Sequence, residues 1–126
     1  MQPTSCVRLG GIFGGLAVAL GAFAAHAMQG RFDAHALEVF EKAVRYQMYH
    51  ALALGLCGLL GLHGRRSGPA AWCFLAGIVL FSGSLYGFVL LEATWLAAVT
   101  PFGGLGFLAG WVLLAVHGAR PAPGPA

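Results

Sequence analysis

Charged side chains cut the chain into four long stretches that contain none: residues 9–30, 46–64, 67–91 and 93–119 lack Asp, Glu, Lys and Arg. Each stretch is 19 to 27 residues long, and a bilayer-spanning helix needs about 20 apolar residues. The pattern predicts spans over about 7–28, 46–63, 70–91 and 101–118. Arg65, Arg66, Gly68 and Pro69 make a tight turn, so the second and third helices form an antiparallel hairpin. Thr100-Pro101 reads as an N-cap followed by proline at the first helical position. The only hydrophilic segment, 29–45, is itself helical in pattern. Asp33 can cap it, Leu37, Phe40 and Val44 share a face, and Glu38–Lys42 and Glu41–Arg45 stand four apart in the favourable order. The expectation is a short amphipathic helix between helices 1 and 2, lying at the interface or running on into helix 2. The proline-rich residues 119–126 are expected to be disordered. The fold class is an all-α membrane protein: a single four-helix transmembrane bundle over residues 1–118.

Composition strengthens this reading. The chain is 59% hydrophobic and 9% charged, against about 25% charged in soluble domains, which excludes a water-soluble globule of this size. The net charge of +3 comes from bases scattered at the ends of apolar runs, with no basic stripe. They act as topology signals, and nucleic acid is not an expected partner. Arg8, Arg65, Arg66 and Arg120 share one side under a four-span arrangement, against Arg31, Lys42 and Arg45 on the other. The positive-inside rule then puts both termini in the cytoplasm. Small residues around Ala22 to Ala27 imitate a signal-peptidase site. The apolar stretch from Leu9 to Ala25 exceeds the usual span of about 7–15 residues, so the first helix is expected to be retained.

The 20 glycines are the next signal. Gly10, Gly14, Ala17, Gly21 and Ala24 form one small face on helix 1, and Gly11, Gly15, Ala19 and Ala22 form a second. Close backbone approach on both faces would make helix 1 central in the bundle. Gly83 and Gly87 on helix 3, and Gly103, Gly106 and Gly110 on helix 4, read the same way. A face left unused would suit an oligomer interface. Cys6, Cys57 and Cys73 are odd in number and lack C-x-x-C spacing, so they serve as small hydrophobes.

Polar side chains within the spans are few, and four antiparallel helices gather them at one end: His26, Tyr46, Gln47, Tyr49, His50, Ser82, Ser84, Tyr86, Glu92 and Thr100. Polar groups in spans face the bundle interior and mark functional sites by default. They also serve as hydrogen-bond glue between helices, and both readings stand. A metal or haem ligated by His26 and His50 is a sharper version. No C-x-x-C-H, H-E-x-x-H or carboxylate–histidine repeat supports it, so neither metal nor cofactor is expected. No Ser/His/Asp constellation can be assembled, which argues against an enzyme.

Four ordered blocks carry a family resemblance: GAFAAHAM (21–28), AVRYQMYHALAL (43–54), FLAGIVLFSGSLYGF (74–88) and TPFGGLGFLAGW (100–111). Together they resemble the small membrane proteins of domain of unknown function 423, also called YgdD-like or transmembrane protein 256-like. The chain departs from the family pattern at Ala24 and Ala27, where glycine is usual, and keeps His26. The resemblance implies a four-helix integral protein of bacterial inner membranes, and no particular reaction. The leading functional reading is a non-enzymatic scaffold, accessory subunit or binding protein; the alternative is a small oligomeric transporter or channel gated by the polar cluster. The partners expected are the lipid bilayer and a second copy or another membrane protein.

Overall fold

A computed structural model describes residues 1–124, and all regular structure among them is helical. Helix α1 runs Pro3–His26, α2 Ala34–Leu62, α3 Gly68–Leu90 and α4 Thr100–His117, with a 3-10 turn over Thr94–Ala98 before α4. Three helical stretches are long and apolar enough to cross a membrane: Pro3–His26, Gly68–Leu90 and Thr94–His117. The fourth helix, α2, is the longest, at 29 residues, or about 43 Å.

Of the two arrangements expected for the amphipathic segment, the length of α2 shows the one that runs on into helix 2, and not a separate helix. Residues 34–45 form the opening turns of α2 itself, begun at Asp33, whose carboxylate accepts from the Ala36 amide at 2.7 Å. Phe40, Ala43, Gln47, Ala51, Leu54 and Gly58 are buried in one continuous stripe along α2. The steps of three and four residues never break at the polar-to-apolar boundary, and nothing there stops a helix.

The stripe also makes α2, rather than α1, the central helix. α2 packs along α1 on one side and against α3 on the other. Only one small face of α1 is used. A Cβ on Gly10 would stand 2.9 Å from both the Ala51 carbonyl oxygen and the Gly55 amide nitrogen, and one on Gly21 would touch Val44 at 3.4 Å. Gly11 and Gly15, on the second face, meet only open space. α4 is peripheral and lies on α3, where Gly103, Gly106 and Gly110 admit Phe81, the Cys73 carbonyl oxygen and the Phe74 ring.

α3 is not uniform. Ile78–Ser82 forms a π turn inside it, widening the helix by one residue at mid-length. Such turns are rare and recur at functional sites. The hairpin turn that follows α2 is closed by Gly64 at φ +70°, the left-handed position where glycine ends helices without strain. The C-terminal segment, expected to be disordered, folds back on this turn. Arg66 N donates to Arg120 O at 3.0 Å, Ala122 N to Gly64 O at 2.7 Å, and the Arg65 guanidinium to Ala119 O at 2.7 Å. Residues 125–126 of that expectation lie outside the described residues. Met1, which approaches Gly68, thus shares one end of the bundle with the Arg65 turn and the C-terminal segment.

Candidate functional site

Because α2 begins at Ala34, Gln47 and His50 stand near the middle of that helix, while Ser84, Glu92 and Thr100 stay near the connection from α3 to α4. Gln47 is the pivot. Its side-chain amide donates to Phe13 O at 2.8 Å and accepts from the Tyr86 hydroxyl at 2.8 Å, tying α1, α2 and α3 together in the interior. One turn earlier, Ser82 in the π turn donates to Ala43 O at 2.7 Å. His26 does not join them. It is exposed at the C-terminal end of α1, 13 residues or about 20 Å beyond Phe13. A haem or metal held between His26 and His50 is therefore ruled out by distance. Among the described residues no three His, Cys, Asp or Glu side chains converge as a metal would require.

The remaining polar residues divide into two further groups. Ser84 and Thr100 share a hydrogen bond of 2.6 Å that joins α3 to the start of α4. Thr100 does not cap its helix; its hydroxyl turns back to Leu96 O at 3.3 Å. Glu92 is exposed on the loop after α3 at φ +53°, in the left-handed region where glycine is usual. Gly87 makes room for the Leu96 side chain, and Gly83 faces open space, so these two do not form a helix-packing pair.

His50 lies elsewhere again, on the side of α2 that faces α4. Its imidazole is buried and stacks face to face on Phe107, with centroids 3.4 Å apart and planes within 7°. Nδ1 stands 2.7 Å from Tyr46 O, and Trp111 Nε1 stands 3.2 Å from Nε2. Indole N–H can only donate, so Nε2 accepts and the ring proton sits on Nδ1, bonded to the Tyr46 carbonyl. Both nitrogens are thereby engaged and the imidazole is held as the neutral Nδ1–H tautomer. The ring of Tyr46 stacks on Phe81 at 4.8 Å, and Tyr49 follows at 5.9 Å from Tyr46.

Between α2 and α4 these rings line a groove of about 800 Å³, within the 300–1,000 Å³ range usual for small-molecule sites. Tyr46, Tyr49 and His50 form one wall, Leu105, Leu108 and Trp111 the other, and Phe81 and Phe107 the floor. The π turn contributes directly, since Phe81 is one of its residues. α4 can sit this close because a Cβ at Gly103 would overlap the Phe81 backbone and one at Gly77 would overlap the Phe107 ring. Phe81, Phe107 and Trp111 escape a reading that looks for chemistry only in polar side chains. The available signal was Trp111: an indole deep in an apolar run, away from the membrane interface, needs an acceptor for its N–H.

Residues 20–104 match the family described as "Protein of unknown function (DUF423)". The chain is 45% identical over 111 residues to a UPF0382 membrane protein of Staphylococcus aureus, covering 87% of this chain and 91% of that protein. It is 44% identical over 117 residues to UPF0382 membrane protein YwdK of Bacillus subtilis, covering 90% and 95%. A UPF0382 membrane protein of Staphylococcus haemolyticus is 42% identical over 111 residues, covering 87% and 91%. No solved structure matches.

Proposed function

Since the chain belongs to the DUF423 family of membrane proteins, we propose a role for it from its own geometry: it is a non-enzymatic binding protein of the bacterial plasma membrane, and its ligand is a lipophilic molecule held between α2 and α4. The observation that carries this reading is the aromatic groove over the π turn. Three costly features meet there: a broken α-helical hydrogen-bond pattern, a buried histidine and an indole N–H at mid-bundle. A helix pair that needed only to pack would bring its backbones together, as α1 and α2 do at Gly10 and Gly58. The engagement of both His50 nitrogens favours binding over a proton or ion path through this residue.

The same reading makes α2 a fourth span. It lies between α1 and α3, joined to each by a short connection and packed along both, so three crossings by its neighbours require a crossing by α2. Its charged first turns, Glu38 to Arg45, are exposed and emerge at the membrane surface. Arg65 and Arg66 share one end with Met1 and residues 119–122, and the positive-inside rule assigns that end to the cytoplasm. A cysteine replacing Arg66 should react with an impermeant maleimide in inside-out vesicles and stay unlabelled in right-side-out ones.

The binding reading is tested by native mass spectrometry of protein released from bacterial membranes in nanodiscs. One lipophilic molecule should be retained per chain. Gly104→Trp should expel it, because residue 104 lines the groove and a Cβ there has nothing nearer than 3.9 Å. A wild-type chain that carries no more lipid than Gly104→Trp would end the proposal.

A further inference from the structure

The groove's own chemistry restricts what it can hold, and we propose that it takes the ring of a quinone-class lipid: a neutral, planar, conjugated head with carbonyl acceptors and a long hydrocarbon tail. This rests on the binding reading above and narrows it to one ligand class.

Three observations point to this class. First, no Asp, Glu, Lys or Arg lines the groove, and a charged ligand would be desolvated there without a counter-charge. The ligand is therefore neutral, which sets aside phospholipid headgroups. Second, the polar groups on the walls offer hydrogen atoms. The Tyr46 and Tyr49 hydroxyls bond to no partner among the described residues, and both side chains are partly exposed at 40% and 54%, whereas the Trp111 N–H is already given to His50 Nε2. Donors call for acceptors, and carbonyl oxygens are the common neutral ones in lipid. Third, the walls are built of rings. Tyr46, Phe81, Phe107 and Trp111 present flat faces and edges, and stacked or edge-to-face contact with a conjugated ring is favoured over contact with a flexible chain.

The tail has a place as well. A second hollow of about 410 Å³ shares Phe81 and Pro101 with the first and continues past Thr100, Leu85, Val39, Phe88 and Ala97 to His35. Apart from His35 and Thr100 its walls are apolar side chains, and it follows α3 away from His50. A ring seated beside His50 and Trp111 would thus lead its chain along α3 into the aliphatic hollow. No electron transfer is part of the proposal. The step is binding alone.

Trp111 reports on the site directly, because quinones quench indole emission. Trp72 and Trp95 are exposed on other parts of the surface, so Trp72→Phe/Trp95→Phe leaves Trp111 as the single emitter. In nanodiscs, titration with a naphthoquinone that carries a phytyl chain should quench Trp111 saturably at one molecule per chain. Phytol, which has a comparable chain and no quinone ring, should neither quench nor compete. Tyr46→Phe/Tyr49→Phe should weaken the quinone about tenfold with the far-ultraviolet spectrum and melting unchanged. Gly104→Trp, assayed by competition with radiolabelled naphthoquinone, should abolish binding. Quenching that rises linearly and matches a protein keeping only Trp95 would mean simple partition into the bilayer, and would overturn the proposal. So would phytol competing on equal terms, or the tyrosine pair having no effect. If the quinone fails while mass spectrometry still finds a retained lipid, the ligand class is wrong and the binding reading survives. If nothing is retained, both fall.

Discussion

α2 has two long flanks that are built on opposite rules. Toward α1, glycine and alanine bring two backbones together until a single added carbon at Gly10 would meet peptide atoms at 2.9 Å. Toward α4, bulky rings hold the helices apart and leave a groove of about 800 Å³. In lipid there is no hydrophobic gain from burying a leucine against another helix, because acyl chains are equally apolar. Close backbone approach is therefore where helix association comes from. Space retained beside rings brings no such stabilisation. The difference separates a flank that holds the protein together from a flank that is free to hold something else.

Substitutions on the two flanks should differ accordingly, and the largest effect is expected at the tight one. Gly10→Leu forces side-chain atoms into the Ala51 and Gly55 backbone and should destabilise the bundle by about 3 kcal/mol. Thermal unfolding in detergent would show it as a drop in melting temperature, with loss of an α1–α2 disulfide cross-link engineered along the interface. Gly11→Leu, one residue away in open space, should be neutral within about 0.5 kcal/mol. Equal effects from the two substitutions would erase the distinction between the faces of α1.

An intermediate effect is expected at the joint between the flanks. Gln47→Leu removes the bond to Phe13 O and leaves the Tyr86 hydroxyl without its acceptor. The cost should be about 1–2 kcal/mol, and Tyr86→Phe in the same chain should recover part of it in a double-mutant melting series. A smaller loss than at Gly10 or Gln47 is expected in the groove. Trp111→Phe loses one hydrogen bond to His50 and should cost about 0.6 kcal/mol, the average for polar contacts between membrane helices. A loss as large as that of Gly10→Leu would show that α4 is held by this contact and that the groove is a packed seam.

Much of this was legible in the residues. Charge-free runs located the cores of all four helices, and Arg65 to Pro69 located the hairpin turn. The start of α2 at its Asp33 cap was legible as one of two arrangements, and charge alone did not choose between them, because charge marks where a helix meets water and not where it begins. The buried stripe did carry the information, running unbroken from Phe40 through Gln47 to Leu54. Missing that continuity set His50 level with His26, when α1 and α2 in fact pair it with residues near Gly10. The second small face of α1 shows a related limit: glycine spacing permits a close neighbour without supplying one. The π turn had no local signature, since Ile78 to Ser82 contains no proline, glycine or cap. Its contacts are tertiary: the Phe81 backbone meets Gly103 of α4, and Ser82 donates to Ala43 O of α2.

That extra residue in α3 also sets a phase. Each residue advances a helix by about 100°, so the turn rotates Gly83–Leu90 against Gly68–Gly77 by that angle relative to an unbroken helix. Ahead of it, Phe74 and Gly77 mesh with α4; beyond it, Tyr86 reaches Gln47 on α2. Both halves pack on α2, and it is the first that also meshes along α4. Removing one residue between Ile78 and Ser82 would leave either half fitting only at the other's expense.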